Sequence, residues 1–220
     1  MSREDFVREV EAAIGELKAS YRGNASESDL YEATLFVLCV DAAKRAGGRV
    51  LLTHDGRNAI QQLSFRRSPG NLWLGEFTYA LVNFPSTSKQ LEVHLGAYVA
   101  SGSSKVAHEC DVAILDHEEA ERSRQGQVHP RARGLIAVIE AKLYATSPSL
   151  GVGRGFLGLA QELGPKRCSL VFPSGGSDNI LALIAKRDSQ AYDRLLPGRD
   201  SIGTMREHLV KAISNWKHVR

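Results

Sequence analysis

Leu135-Ile-Ala-Val-Ile-Glu-Ala-Lys142 runs from five apolar side chains straight into charge. An apolar run of that length, bounded by polar residues, is the pattern of a strand buried on both faces. Along a strand successive side chains point to opposite faces, so Glu140 and Lys142 share one face and Ala141 takes the other. A carboxylate at the end of such a strand is costly to leave unpaired. A second run, Asp111-Val-Ala-Ile-Leu115, has its charge at the start, with Glu109 on the same face as Asp111. Both runs are expected in the centre of a sheet. If they are neighbours, Asp111 and Glu140 converge beside Lys142.

Between these strands lies Asp116 to Arg133, a polar insertion with Glu118, Glu119 and Glu121, then Arg122, Arg124, Arg131 and Arg133. It reads as a mobile loop. Upstream, Val50 to Thr53, Ala59 to Phe65, Leu72 to Phe84 and Leu91 to Val99 read as strands of antiparallel hairpins, separated by Asp55-Gly56, Ser68-Pro69-Gly70 and Pro85-Ser86. Leu91, Val93, Leu95, Ala97 and Val99 alternate with Gln90, Glu92, His94, Gly96 and Tyr98, which predicts one buried face and one wet face. Earlier, Ser26 with Asp29 makes a capping box before Leu30 to Ala46, whose middle is apolar on nearly every side except Thr34. That helix is expected to be buried.

An N-terminal helix over 3–19 opens on Ser2 with Asp5 and aligns Phe6, Val10, Ile14 and Leu17. Downstream, a helix from about Val152 to Leu163 leads to a strand at Ser169 to Phe172, and Ile180 to Ile184 suits helix or strand equally. A helix over 204–218, opened by Thr204 and Glu207, places Met205, Leu209, Ile213 and Trp216 on one face. No repeat, low-complexity tract or linker divides the 220 residues, so one domain with its core at about 28–172 is expected.

A composition of 43% hydrophobic and 24% charged residues excludes a disordered tail, a collagen-like fibre and a coiled-coil rod. Cys39, Cys110 and Cys168 stand far apart without a Cys-x-x-Cys, so neither a disulfide framework nor a zinc ribbon is encoded. The charged N-terminus and the lack of an apolar run approaching about 20 residues make a cytoplasmic, soluble protein with no membrane partner the expectation. The net charge of +3 hides a division: residues 1–121 carry 12 basic and 18 acidic groups, residues 122–220 carry 16 and 7. A basic surface in the second half would attract a polyanion, although solvated faces account for the same charges.

The triplet Glu140-Ala141-Lys142 says little alone, because 25 acidic residues and 9 lysines yield an acid-x-Lys triplet about once by chance. Glu16-Leu17-Lys18 is such a second instance, on an amphipathic helix. Position at the end of a buried strand separates the two. Carboxylates from adjacent strands make a hard, oxygen-rich site for Mg²⁺, which retains several waters. Such a metal polarises a phosphodiester oxygen and supplies the attacking water, while Lys142 orients that water or stabilises developing charge. The plainer alternative is a strand-end ion pair of Glu140 with Lys142, with Asp111 in a turn.

At these residues the chain resembles the PD-(D/E)XK nuclease superfamily, the restriction-endonuclease-like fold. The resemblance runs from about Ser28 to Phe172 and rests on element order: a buried helix bearing Glu32, hairpins, the Asp111 strand, the Glu140-x-Lys142 strand, a helix and a further strand. It implies an α/β fold with an αβββαβ core, a mixed central sheet flanked by helices. It also implies metal binding by Asp111, Glu140 and the Ala141 carbonyl, catalysis by Lys142, and assisting roles for Glu32 and Gln161. Glu109 is an alternative acid for the metal. The pattern departs from the family at Cys110, where a proline is usual, and at Pro165, where a Gln-x-x-x-Tyr branch carries tyrosine.

The implied activity is Mg²⁺-dependent hydrolysis of phosphodiester bonds, with Mn²⁺ able to substitute, on DNA ahead of RNA. Restriction or anti-phage defence is the expected setting, with repair and mobile-element processing as others; a catalytically silent binding or assembly module is the non-enzymatic alternative. Arg131, Arg133 and Arg154 are candidate phosphate contacts. A homodimer through the C-terminal helix is a further expectation, and an accessory subunit would be compatible. Two rival groupings are weaker. Gly153-x-Gly155-x-x-Gly158 with Asp178 matches a dinucleotide fingerprint but does not directly follow a strand. His108, Cys110, His117 and His129 are zinc-ligand types at no finger's spacing.

Overall fold

The computed structural model describes residues 25–144, 146–196 and 198–219, so the helix expected over 3–19 lies outside the described residues. Ser26 and Asp29 do form the capping box: Asp29 N–H donates to Ser26 Oγ at 3.1 Å and Ser26 N–H to Asp29 Oδ2 at 2.6 Å. They open α1 (Glu27–Arg45), whose Leu30, Tyr31, Leu35, Phe36, Leu38 and Cys39 are all buried. There follow β1 (Arg49–Thr53), β2 (Tyr79–Asn83), β3 (Gln90–Ala100), β4 (Ala107–Asp116), α2 (His117–Gly126), β5 (Leu135–Ala141) and α3 (Leu150–Leu163). The chain continues with β6 (Cys168–Val171), α4 (Asp178–Ala185), β7 (Gln190–Tyr192) and α5 (Asp200–His218).

The strands make one seven-stranded sheet in chain order, antiparallel from β1 to β5 and parallel from β5 to β7. Two apolar cores result. One joins α1 and α5 to Val93, Ile114 and Ile139; the other joins α3 and α4 to Val99, Leu115, Val138 and Leu170. The fold is therefore mixed α/β, with helices flanking a mixed sheet. Among the described residues no helix is long and apolar enough to cross a membrane.

Several expectations are corrected. Ala59 to Phe65 forms no extended strand, and of Leu72 to Phe84 only Tyr79–Asn83 does. Polar side chains hold this region in turns: Asp55 Oδ1 accepts the N–H groups of Arg57 and Asn58 at 2.9 Å each, and Ser64 N–H donates to Thr78 Oγ1 at 2.7 Å. Ile180 to Ile184 is helical, within α4. α5 starts at Asp200, one turn before the expected box, and buries Met205, Leu209 and Ile213 in the α1 core. Met205, Leu209 and Ile213 of its apolar stripe are thus interior.

In β3 the face expected to be wet is buried at Glu92 and His94, while Gln90 and Tyr98 are half-buried. Its apolar residues also divide: Leu91, Val93 and Leu95 join the α1 core, Ala97 and Val99 the α3 core. Gly96 breaks the alternation with φ 65°, a left-handed conformation that glycine adopts without steric cost. Leu95 pairs with Val112 and Ala97 with Cys110, which leaves Gly96 opposite Asp111. Across that row Cys110 and Val112 likewise fall in different cores.

The insertion from Asp116 is no mobile loop. Asp116 Oδ1 caps α2 by accepting Glu118 N–H at 2.9 Å, and acids in the first turn with Arg124 in the last match the helix dipole. Charge pairing then replaces apolar packing. Glu119 takes Arg122 and Arg131, the latter with Nε 3.0 Å from both carboxylate oxygens and its own N–H donating at 2.8 Å. Glu119 approaches so closely that a Cβ on Gly134 would stand 2.6 Å from Glu119 Cβ, which only glycine tolerates.

Candidate functional site

β4 and β5 pair as far as Val112 with Ile139, and there the regular ladder stops. In the next row the side chain of Asp111 substitutes for a ladder carbonyl: Ala141 N–H donates to Asp111 Oδ2 at 2.6 Å. The carboxylate is thereby fixed on the peptide that follows Glu140. Lys142 Nζ lies 2.6 Å from Glu140 Oε1, on the shared face that strand alternation requires. The structure thus brings Asp111, Glu140, Ala141 and Lys142 together.

α1 adds Glu32 from one side of the sheet. Burial, then the charge of Asp111, pushes its carboxyl up to about 8, with Glu109 contributing and a hydrogen bond from Ser28 opposing. Asp111 is pushed up to about 7 by burial and then by Glu140, against the Ala141 N–H and Lys142. Burial pulls Lys142 down, but its hydrogen bond to Glu140 and the attraction of both carboxylates leave it raised. Four acids, Glu32, Glu109, Asp111 and Glu140, therefore act on one another beside a single ammonium. A chain folding only for stability would avoid that surplus of negative charge; a divalent cation among oxygen ligands would neutralise it. Carboxylate oxygens are the donor type such an ion takes, but these four acids do not gather three ligand atoms within 4.8 Å of one another.

The other candidates scatter. Gln161 is exposed on α3, and no hydrogen bond or charge contact joins it to Asp111, Glu140 or Lys142 among the described residues. Arg131 is held by Glu119 and is not a free cation. Arg133, 71% exposed and 3.9 Å from Glu119, and Arg154, exposed on α3, remain open to solvent.

Gly153, Gly155 and Gly158 lie inside α3, not in a turn after a strand, which removes the dinucleotide reading. Gly153 instead permits close contact with Ile180 of α4, while Gly155 and Gly158 face open space. The zinc set is not assembled either. Cys110 is buried with its thiol raised by burial, His129 packs against Trp73 and Tyr98, and His117 Nδ1 bonds Glu92 Oε1 at 2.6 Å.

Among the described residues one trio of potential ligands is compact: Glu92, His117 and Glu121, with ligand atoms within 4.8 Å of one another. The sequence concealed it, because it joins a strand face expected to be wet to a segment expected to be mobile. Arg124 already supplies its cation. One guanidinium nitrogen is 3.0 Å from Glu92 Oε2, and its Nε and the other nitrogen are 2.8 and 2.6 Å from Glu121 Oε1. Burial opposes the charge on Glu92, yet His117, His94 and Arg124 together hold its carboxyl well below the usual range. This is a satisfied internal ion network.

No protein-family model, curated protein or solved structure matches the chain.

Proposed function

We propose that the chain is a Mg²⁺-dependent nuclease of the PD-(D/E)XK type that hydrolyses phosphodiester bonds in DNA. The observation that carries the reading is the Ala141 N–H to Asp111 Oδ2 hydrogen bond, which draws a buried carboxylate into the Glu140-Ala141-Lys142 triplet. Element order supports the fold assignment: α1, the antiparallel run β3, β4 and β5, then α3 and a β6 parallel to β5.

Asp111, Glu140 and the Ala141 carbonyl are the groups that would hold the ion, with Glu32 and Glu109 near enough to add charge. Bound there, the metal supplies Lewis acidity toward the phosphate and a more acidic water. The chain's own groups do the rest. Lys142, oriented by Glu140, offers an ammonium hydrogen bond to a phosphate oxygen or to the attacking water. Glu32, whose carboxyl is pushed up to about 8, is suited to accept and return a proton near neutral pH. Arg133 and Arg154 offer cations to the backbone, and the open Gly155 and Gly158 positions let a strand approach α3.

The test is cleavage of linear, circular, single-stranded and methylated DNA with Mg²⁺ and with chelator. Lys142→Ala and Asp111→Ala are each expected to lower the rate by on the order of 100-fold or more. Survival of activity at unchanged rate in both variants would refute the site. DNA bound but uncut with every divalent metal would favour the silent binding module.

A further inference from the structure

The parallel strands β5, β6 and β7 all lead, at their carboxyl ends, into one cavity of about 750 Å³. Open α/β sheets place ligands at such strand ends because the connecting turns there expose backbone groups. The cavity lies beyond Lys142 along the chain and includes none of Asp111, Glu140 or Lys142.

Part of its lining is Ser174 and Gly175, the first half of the turn Ser174-Gly175-Gly176-Ser177 between β6 and α4. The carbonyls of Ser174, Gly175 and Ser177 are engaged, by Arg194 N–H, by Ser147 Oγ, and by the N–H groups of Ile180 and Leu181. Among the described residues no hydrogen bond engages the N–H of Ser174, Gly175, Gly176 or Ser177. The hydroxyl of Ser174, one of the lining residues, is buried without a partner. At the cavity wall the Ser174 and Gly175 carbonyls are occupied while their N–H groups have no bond among the described residues, a polarity suited to an anion.

Two guanidinium groups complete it. Arg194 and Arg199 line the cavity, and neither has an ion pair among the described residues. Arg194 lies against the turn: a Cβ on Gly175 would stand 2.5 Å from Arg194 Nε. Its backbone is held at φ 49°, an uncommon conformation for arginine, by its N–H to Ser174 O at 3.0 Å and by Ser201 Oγ donating to its carbonyl at 2.8 Å.

We propose that this cavity binds a phosphodiester group of a nucleic-acid strand, further along the strand from the phosphate at Asp111 and Glu140. The proposal rests on the nuclease reading and names an extended strand, not a mononucleotide, as the substrate. Asp193 and Asp200 also line the cavity and balance the two arginines, so long-range attraction is weak. Short-range donors remain, and they favour the single charge of a diester over the higher charge of orthophosphate.

The test is binding of a fluorescent oligonucleotide to the full chain without divalent metal, followed by anisotropy at several salt concentrations, so that cleavage plays no part. Arg194→Gln and Arg199→Gln are each expected to raise Kd about 10-fold, the size of one charge-assisted hydrogen bond. Each also lowers the slope of log K against log salt by about 0.7–0.9, the signature of one lost phosphate contact. Gly175→Ala, which changes no charge, weakens binding by displacing Arg194. Unchanged affinity and slope in Arg199→Gln and Gly175→Ala would overturn the proposal, even if Arg194→Gln failed to fold. Displacement of the oligonucleotide by millimolar orthophosphate would overturn the strand assignment in favour of free phosphate. Failure of Mg²⁺-dependent cleavage with these binding losses intact would remove the nuclease reading and leave the phosphate site.

Discussion

Replacing Asp111 by asparagine is expected to stabilise the metal-free protein at pH 8 while abolishing its response to Mg²⁺. The carboxyl is raised from 3.8 to about 7 by burial and by Glu140, so ionising it in the folded chain is unfavourable. About three pH units at roughly 1.36 kcal/mol each set a ceiling near 4 kcal/mol. Asparagine retains an oxygen for the Ala141 N–H but loses the attraction of Lys142, which reduces the net gain to about 1–2 kcal/mol. For a chain of this size that is about 2–8 °C in Tm.

The sign with pH follows from the raised value. The folded state holds this proton more tightly than the unfolded chain, so the wild-type contribution is complete below about pH 4 and is lost as pH rises through about 7. The asparagine does not titrate. The Tm difference should therefore be near zero at pH 4 and full at pH 8. Adding Mg²⁺ at ten times its Kd should stabilise the wild type by about 1.4 kcal/mol and the variant not at all. Thermal melts at both pH values, with and without Mg²⁺, decide the matter. A variant that melts lower than wild type by the same margin at both pH values would mean that Asp111 is a structural splice between strands, and the argument for a metal site would fall.

Glu92→Gln should cost about 3 kcal/mol in urea melts at pH 7, because Arg124 and His117 lose a buried anion. Glu92 titrates well below its ordinary range, so its contribution is present above about pH 4.5 and the cost should shrink as pH falls further. Gly134→Ala should cost about 1–3 kcal/mol by driving Glu119 off its arginines; an unchanged melt would refute the close approach. Gly96→Ala should cost about 1–2 kcal/mol from its left-handed φ and also weaken the Mg²⁺-induced rise in Tm; loss of stability with the metal response intact would separate the bend from the site.

Much of the architecture was legible wherever a single physical signal dominated. The apolar runs before Glu140 and after Asp111 mark the two central strands, and the Ser26 capping box marks the start of α1. Adjacency of β4 and β5 was only a condition for Asp111 and Glu140 to converge, and the pairing of Val112 with Ile139 meets it. What stayed hidden depended on partners distant in sequence. α2 has no apolar stripe, because Glu119 and Glu92 pack it through Arg131, Arg122 and Arg124; only the structure shows that these acids are buried. The cavity at Arg194 was hidden for the same reason, since three separate turns build it.

The bend in β3 and the placement of Asp111 are one event. In an unbroken ladder the row holding Gly96 and Asp111 would use backbone groups to join the strands, and strict alternation would send the Asp111 side chain to one face of the sheet. Gly96, at φ 65°, lets β3 exchange faces between Leu95 and Ala97 while the register on either side is preserved. β4 exchanges faces in the same row, between Val112 and Cys110. Asp111 then reaches across toward β5 and accepts Ala141 N–H, beyond the last regular pair. That geometry keeps the carboxylate buried enough to be raised and near enough to Glu140 to feel its charge, two conditions that a regular strand would set against each other.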